Sequence, residues 1–295
     1  MYRSSVALFL LPCLTLVRGT KSMFQSTGFI KTADGNQIFY KDWGNCTAQP
    51  VVFSHGWPLS SDSWGSQMLF LGQHGYRVIA HDRRGHGHSS QPWDGNDMDT
   101  YSDDLLALIK HLHLKNIMLV GHSTGGGEVT RFLGRHGTSR VTKAVLLGSI
   151  TPSLGIPLTV WDDFRSRYKK NRGQVFLDFA SGPFFGFDRA GAVTSQGLIQ
   201  DWMQQAFRAG FVNLYDCIKA FSETDFTTDM KKIDIPVLIL HGSDDEVVPI
   251  ENTAHKGIKL LKKGTLKVYP GGDHGLPQTF SEQVNEDLLH FLTGS

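Results

Sequence analysis

Short apolar runs recur along the chain, and most have the length of a buried strand. Residues 37–43 alternate between apolar side chains such as Ile38 and Tyr40 and polar ones, which predicts a half-buried strand. Later runs are continuously apolar, at 51–53, 78–80, 117–120, 145–147 and 237–240. Continuous apolar strands are typical of a parallel sheet that is covered by helices on both faces.

Helical periodicity separates these runs. Residues 100–112 place Leu105, Leu108 and Leu112 on one stripe, and Ser102 is the expected N-cap of this helix. Further helices are predicted at 124–136, 250–261 and 280–292, and a last strand at 265–269. This alternation of strands and helices predicts an α/β fold with an open, doubly wound, mostly parallel sheet.

The alternation stops between about residues 151 and 230, where aromatic residues accumulate. The aromatic residues are Trp161, Phe164, Tyr168, Phe176, Phe179, Phe184, Phe185, Phe187, Trp202, Phe207, Phe211, Tyr215, Phe221 and Phe226. We interpret this stretch as a mainly helical cap inserted into the sheet fold. Most of its rings are expected to pack the cap's own core, and a few to face a site below it, because a lid excludes water.

The N-terminus has features of a targeting segment. Arg3 precedes the mostly apolar residues 6–17, which resembles a signal peptide, although Pro12 interrupts the run and Arg18 follows it. We therefore interpret residues 1–22 as an N-terminal extension before a single domain at 23–295. The pattern leaves open whether the protein is secreted, cytoplasmic or sent to an organelle.

Composition mainly argues against certain classes of function and of site. The chain has 29 basic and 28 acidic residues and a net charge of +1, so charge gives no reason to expect binding to nucleic acid or to a membrane surface. No apolar run approaches the ~18 residues of a membrane span. Cys13, Cys46 and Cys217 lack the spacing of a disulfide framework or a zinc site. Asn45 begins a glycosylation sequon, which matters only in a secretory pathway.

The chemistry is expected to centre on Ser123. It lies in the run Gly-His-Ser-Thr-Gly at 121–125, which matches G-x-S-x-G, directly after a predicted strand and before a predicted helix. A serine on such a turn exposes its oxygen, and Gly121 and Gly125 remove side chains that would collide with neighbouring backbone. Ser123 is therefore the candidate nucleophile.

A serine nucleophile needs a base and an acid, and two later loops offer them. The loop after the strand at 237–240 contains Asp244, Asp245 and Glu246, at the carboxyl end of the sheet where α/β sites lie. Asp245 is our choice of acid, with Asp244 as the alternative. His274 lies between glycines in the loop after 265–269 and is the candidate base.

Two further segments bear on the site. The run Ser-His-Gly-Trp-Pro at 54–58 follows an early strand, and the backbone N–H groups of Trp57 and Thr124 are expected to form an oxyanion hole. The segment 81–89 contains an H-x-H pair but no further ligand nearby, so no metal site is predicted. We expect Asp82 and its neighbouring arginines to hold this loop under the site, and Glu128 to be a structural hydrogen-bond partner.

These motifs together resemble the cofactor-free, non-heme haloperoxidases, also called chloroperoxidases or perhydrolases, of the α/β-hydrolase family. The resemblance extends from about residue 27 to 292, and the matching runs are 40–44, 54–58, 81–87, 121–127 and 182–187. It implies an α/β-hydrolase fold, the triad of Ser123, Asp245 and His274, an oxyanion hole at Trp57 and Thr124, and no cofactor or metal. The N-terminal extension and the loop at 45–48 depart from the family pattern.

The resemblance also implies the reaction. Ser123 would form an acyl-enzyme from a small carboxylic acid or ester, which water or hydrogen peroxide then cleaves. Cleavage by peroxide yields a peracid that oxidises a halide, bromide or chloride. The expected partners are therefore small molecules, with no nucleic acid and no membrane, and the sequence leaves open whether the chain forms a homo-oligomer.

Other functions fit the same residues. A carboxylesterase or lactonase without a physiological peroxidase role would keep the same triad, and a ligand-binding protein on a hydrolase fold would need no catalysis. Dehalogenases and epoxide hydrolases resemble this chain in fold but use a carboxylate nucleophile, so Ser123 argues against both.

Overall fold

The computed structural model describes residues 24–294, so the predicted N-terminal extension at 1–22 and Cys13 lie outside the described residues. The strands are β1 (Phe24–Lys31), β2 (Gln37–Gly44), β3 (Pro50–Ser54), β4 (Arg77–His81), β5 (Ile117–His122), β6 (Val141–Leu147), β7 (Val237–Gly242) and β8 (Gly264–Tyr269). The helices are α1 (Gly65–Gln73), α2 (Met98–His111), α3 (Thr124–His136), α4 (Leu158–Ala180), α5 (Gln196–Arg208), α6 (Phe211–Glu223), α7 (Thr227–Lys232), α8 (Ala254–Gly257), α9 (Leu276–Thr279) and α10 (Ser281–Thr293).

All eight strands form one sheet, in the order β1-β2-β4-β3-β5-β6-β7-β8. β2 is antiparallel to both of its neighbours, whereas β4, β3, β5, β6, β7 and β8 run parallel. The mostly parallel sheet confirms the predicted fold class. The carboxyl ends of the parallel strands meet at one edge, which brings the loops after β3, β5, β7 and β8 close together.

Helices cover both faces of the sheet, and the side chains of neighbouring residues in one strand pack on opposite faces. On β3, Val52 packs in an apolar cluster with Leu105 of α2 and Phe132 of α3, while Val51 packs on the other face in a cluster with Leu288 of α10. Each fully buried side chain of this kind contributes roughly 1.5–3 kcal/mol. The runs at 51–53, 78–80, 117–120, 145–147 and 237–240 are continuously apolar because each of their side chains is buried on one face or the other.

Two local predictions are wrong. Ser102 is not an N-cap, because α2 begins at Met98 and the Asp97 carboxylate accepts the hydrogen bond from the Thr100 N–H at 2.9 Å. The apolar stripe starts later than the helix, so the stripe did not indicate that the acidic residue Asp97 is the cap. The helix predicted at 250–261 contains only the four residues of α8, flanked by turns.

The structure also contains elements that were not predicted. Most side chains of β1 are exposed or half-buried, so it produces no apolar run. A 3₁₀ turn at Ser61–Trp64 leads into α1, which follows β3 and covers one face of the sheet. Within residues 24–294, no helix is long and apolar enough to cross a bilayer.

Helices α4 to α7 lie between β6 and β7, and we keep the term cap for residues 151–230. The non-helical backbone of Asn171 kinks α4, and its side-chain oxygen accepts a hydrogen bond from the Gln174 N–H at 3.0 Å, which restarts the helix. Phe176, Trp202 and Phe226 are almost fully buried in an apolar cluster that the cap forms together with Trp57 and Tyr101. The division of the chain into an extension, a domain and a cap stays a prediction.

Candidate active site

Ser123 lies on the tight turn between β5 and α3. Its φ is +54° and its ψ is −119°, a left-handed conformation that non-glycine residues adopt only when the surrounding structure holds them there. A Cβ on Gly121 would lie 2.3 Å from the Gly125 carbonyl oxygen, and one on Gly125 would lie 2.1 Å from the Ser54 carbonyl oxygen. The flanking glycines are therefore required by close backbone contacts.

The structure brings Ser123, His274 and Asp245 together. His274 Nε2 lies 3.0 Å from Ser123 Oγ, and His274 Nδ1 lies 2.7 Å from Asp245 Oδ2. These residues come from the ends of β5, β7 and β8, as expected for loops that meet at the carboxyl edge of the sheet. All three side chains are buried.

The Asp245 carboxylate is held on both oxygens. Its Oδ1 accepts hydrogen bonds from the backbone N–H groups of Val247 and Val248, at 3.0 and 2.7 Å. Burial by itself raises the pKa of Asp245, but the charge and hydrogen bond of His274 outweigh it, so the pKa lies below its ordinary value. Asp244, the alternative acid, instead has a half-exposed carboxylate that accepts from the Ser243 hydroxyl at 2.6 Å.

His122, the second residue of the G-x-S-x-G run, is a site residue that sequence reasoning missed. Its Nε2 donates to the His274 carbonyl oxygen at 2.9 Å, and the two rings lie 4.9 Å apart. Burial and the nearby His274 lower the pKa of His122 to about 3, so it is a neutral donor near pH 7. Its position beside the candidate nucleophile was the one available signal.

The segment with Trp57 packs directly against the nucleophile turn. A Cβ on Gly56 would lie 3.1 Å from Ser123 Cβ, so Trp57 follows a backbone that is in close contact with Ser123. Thr124 is the first residue of α3, where free N–H groups carry a partial positive charge. The Trp57 indole donates to the Leu214 carbonyl oxygen at 3.2 Å, which ties this segment to the cap.

A mainly apolar cavity opens above Ser123. Its lining residues are Trp57, Thr124, Ile150, Leu154, Trp161, Phe164, Phe179, Phe221, Val247, Val248 and His274. Four of the cap's aromatic residues therefore face the site, and others pack within the cap, as the distribution of rings along the sequence predicts. An apolar cavity with a few convergent polar groups is typical of a small-molecule site.

Below the site lies a buried group that we call the polar layer: His55, His81, Arg83 and Glu128. Glu128 accepts hydrogen bonds from Arg83 Nε at 2.8 Å and from Ser54 at 3.2 Å, and it lies 2.8 Å from His81 Nε2. Burial raises the pKa of Glu128, but the charges of Arg83 and His81 outweigh it and lower the pKa to about 2. Glu128 is thus a structural hydrogen-bond partner, as predicted.

The remaining polar residues of the 81–89 segment make hydrogen bonds that hold the loop. Asp82 accepts hydrogen bonds from the backbone N–H groups of Ser61 and His88 at 2.7 and 2.8 Å, which holds the loop as expected. His86 is buried with its Nδ1 3.0 Å from the Arg84 carbonyl oxygen. Among residues 24–294, no three His, Cys, Asp or Glu side chains are grouped to hold a metal ion.

Comparisons with known proteins agree with this architecture. The family model of the alpha/beta hydrolase fold matches residues 49–277. A non-heme haloperoxidase of Rhodococcus erythropolis is 53% identical over 272 residues, covering 90% of this chain and 98% of the relative. A bifunctional esterase/perhydrolase of Acinetobacter calcoaceticus is 49% identical over 273 residues, covering 90% of this chain and 99% of the relative.

A solved structure gives the same result. The crystal structure of a bromoperoxidase from Bacillus anthracis superposes with a TM-score of 0.86 at 38% identity, covering 91% of this chain and all of that one. The match thus includes the sheet and the cap together. The chain belongs to the α/β-hydrolase family and, within it, is an enzyme of the non-heme haloperoxidase and esterase type.

Proposed function

We propose that Ser123 forms an acyl-enzyme and passes the acyl group either to water or to hydrogen peroxide. The observation that carries this proposal is the continuous set of contacts from Asp245 through His274 to Ser123, beneath an apolar cavity. The names of the relatives, which include an esterase/perhydrolase and a haloperoxidase, support both acceptors.

Acylation uses His274 as the base. Because the ionised Asp245 accepts a hydrogen bond at Nδ1, the ring proton is placed on that nitrogen and Nε2 is left free to take the Ser123 proton. The serine oxygen then attacks the carbonyl carbon of a small ester or carboxylic acid. The imidazolium that forms is stabilised by Asp245 and returns its proton to the leaving alcohol or water.

The negative charge on the attacked carbonyl oxygen requires donors that are already in place. We assign this role to the backbone N–H groups of Thr124, at the positive end of α3, and of Trp57. Removal of one such donor in a comparable site costs about 10²- to 10³-fold in rate. Both groups belong to segments in close contact with Ser123, which keeps them aligned through the reaction.

The acceptor decides the product. Attack by water releases a carboxylic acid, and attack by hydrogen peroxide releases a peracid; in both cases Ser123 regains its proton through His274. The peracid transfers one oxygen to bromide or chloride, giving hypohalous acid and a carboxylate, which takes a proton from solvent to give back the carboxylic acid that began the cycle. The acid is thus regenerated, peroxide supplies the oxidising equivalent, and no step in this scheme uses a cofactor.

Replacement of the nucleophile tests the acyl-enzyme. We expect Ser123→Ala to abolish turnover of p-nitrophenyl acetate and labelling by a fluorophosphonate, and mass spectrometry of the wild type to locate the label on Ser123. Ser139→Ala, which alters an exposed serine in the turn after α3, is the control and should keep both ester turnover and labelling. Label on another residue, or full turnover by Ser123→Ala, contradicts the proposal.

The peracid step has its own test. Bromination of a dye should be fast in acetate buffer with peroxide and bromide, and should fall to background in a buffer without a carboxylate. A bromination rate independent of carboxylate overturns the peracid route. If ester turnover survives in that case, the enzyme is a carboxylesterase or lactonase in the sense considered above.

A further inference from the structure

The run at 182–187 takes no part in the proposed chemistry, yet it lies against the candidate triad. We call residues 182–189, which follow the end of α4, the strap. The Phe184 carbonyl oxygen accepts a hydrogen bond from the N–H of Gly275 at 2.8 Å. The Phe184 ring also stands perpendicular to the His274 ring, with centroids 5.2 Å apart, so the strap contacts both the ring of the candidate base and the backbone of the next residue.

At the end of the strap, Arg189 joins the two loops that carry the acid and the base. Its Nη2 donates to the Asp244 carbonyl oxygen at 2.6 Å, and its Nη1 donates to the Gly271 carbonyl oxygen at 2.9 Å. Asp244 immediately precedes Asp245, and Gly271 lies three residues before His274. One guanidinium therefore connects the backbone of the loop that carries Asp245 to the backbone of the loop that carries His274.

The contact depends on the fork of the guanidinium more than on its charge. Arginine offers several N–H donors in a rigid plane, so it reaches two acceptors at once, whereas a lysine ammonium is a single point of charge on a flexible stem. The Asp244 carboxylate is 3.9 Å from Arg189 and half-exposed, and such an exposed ion pair contributes little. The two backbone carbonyls are thus the principal partners.

Two glycines leave the space that this arrangement needs. Gly186 has a φ of +63°, and a Cβ there would lie 2.5 Å from Arg189 Cζ. A Cβ on Gly275 would lie 2.4 Å from a ring carbon of Phe185. Side chains at either position would displace the strap, so both Arg189 and the loop with His274 are fitted closely to it.

We propose that Arg189 is a positioning residue, which holds the loops of Asp245 and His274 at the separation that the acid–imidazole contact requires. This inference rests on the proposed function of the triad. A displacement of about 1 Å in a catalytic group can cost about 10²-fold in rate. Arg189 is not among the residues that line the cavity, so its loss should slow the chemical step and leave substrate binding almost unchanged.

The test compares two arginines of the cap. Arg189→Gln removes the bridge, and Arg167→Gln removes an exposed ion pair with Asp178 at 3.0 Å. The end point of fluorophosphonate labelling counts the competent sites, and p-nitrophenyl acetate gives kcat per site and KM. We expect Arg189→Gln to lower kcat per site by about 10-fold with KM within about twofold, and Arg167→Gln to match the wild type.

A conservative variant provides the second measurement. Arg189→Lys keeps the positive charge but reaches one carbonyl at a time, so kcat per site should stay at least about threefold below the wild type. Full recovery in Arg189→Lys overturns the proposal, and this variant decides the question if Arg189→Gln does not fold. If Arg189→Gln loses only labelled sites or melting temperature while kcat per site is unchanged, Arg189 merely supports the fold and the proposal is wrong.

The outcome is separable from that of the proposed function. If the wild type itself is not labelled at Ser123, the acyl-enzyme proposal fails. If labelling succeeds and only the effect of Arg189→Gln is missing, the role of the strap fails alone.

Discussion

The buried pairs Asp245–His274 and Glu128–His81 each join a carboxylate to an imidazole, and we assign catalysis only to the first. Asp245 and His274 are 2.7 Å apart, and Glu128 and His81 are 2.8 Å apart. The other ring nitrogen of His274 faces Ser123 Oγ at 3.0 Å under a cavity. The other ring nitrogen of His81 is buried, with no hydrogen-bond partner among the described residues.

The two pairs also differ in what compensates the carboxylate. Glu128 has a permanent counter-ion in Arg83 at 2.7 Å, so its charge is balanced in every state of the enzyme. Asp245 is hydrogen-bonded to the His274 imidazole and to two backbone N–H groups. In the proposed mechanism it gains a full positive neighbour only when His274 takes a proton. A permanent counter-ion thus suits a structural role, and a transient one suits catalysis.

The largest expected difference is between the two histidines. His274→Gln should lower kcat by about 10⁵-fold or more, because an unassisted serine is a poor nucleophile. His81→Gln should lower the melting temperature but keep kcat per labelled site within about 10-fold. Ester turnover measures both, normalised to active-site titration for His81→Gln and to the concentration of folded protein for His274→Gln, whose serine the titrant would not label. Equal losses in kcat would end the distinction between the two pairs.

The next prediction compares the proposed acid, Asp245, with the adjacent Asp244. Asp245→Asn should lower kcat by about 10⁴-fold, because an amide in place of the carboxylate favours the wrong imidazole tautomer. Asp244→Asn, the adjacent and half-exposed residue, should stay within about twofold of the wild type. The measurement is kcat/KM for p-nitrophenyl acetate, and a reversed ranking would transfer the role to Asp244.

In the polar layer, the expected effect is on stability. Glu128→Gln leaves the buried Arg83 without its counter-ion, which should cost about 3–5 kcal/mol of unfolding free energy. Urea denaturation of the variant and wild type at pH 7 gives the difference. A loss below about 1 kcal/mol would place this pair with ordinary exposed ion pairs.

The stability of the wild type should also depend on pH through Glu128. Its pKa is lowered from an ordinary 4.5 to about 2 in the folded protein, so its stabilising contribution is complete above pH 4.5 and is lost as the pH falls toward 2. The difference in urea midpoint between wild type and Glu128→Gln should therefore narrow over that range. A constant difference would mean that the Glu128 charge is not the cause.

The smallest expected effect concerns the cavity. Trp161→Ala removes a large ring from the cavity wall, so kcat/KM for p-nitrophenyl hexanoate relative to acetate should rise by about 10-fold. Trp93→Ala, which removes an indole that is 75% exposed outside this cavity, is the matched control and should leave the ratio unchanged. An unchanged ratio in Trp161→Ala would show that this wall does not limit the acyl chain.

Local patterns predicted the parts of the molecule that local chemistry determines. Apolar runs indicated the parallel strands, and glycines around Ser123 indicated its turn, because each requirement involves a few adjacent residues. The hydrogen bond from Arg189 to residue 244 and the contact of His122 with His274 join distant segments, and no pattern in either segment encodes the partner. The error at Ser102 has a different cause, because here the signal is local but was misread. The actual cap, Asp97, lies before the apolar stripe from which the helix start was inferred.

The routes of β5, β7 and β8 through the sheet have a consequence for how activity arises during folding. Ser123 and His274 are 151 residues apart, and Asp245 and His274 are 29 apart, so these contacts carry the entropic cost of closing long loops. The nucleophile is synthesised first and its base last. In the proposed mechanism, a nascent chain therefore holds an inert alcohol until the final parallel strand docks, and acyl transfer begins only in the assembled molecule.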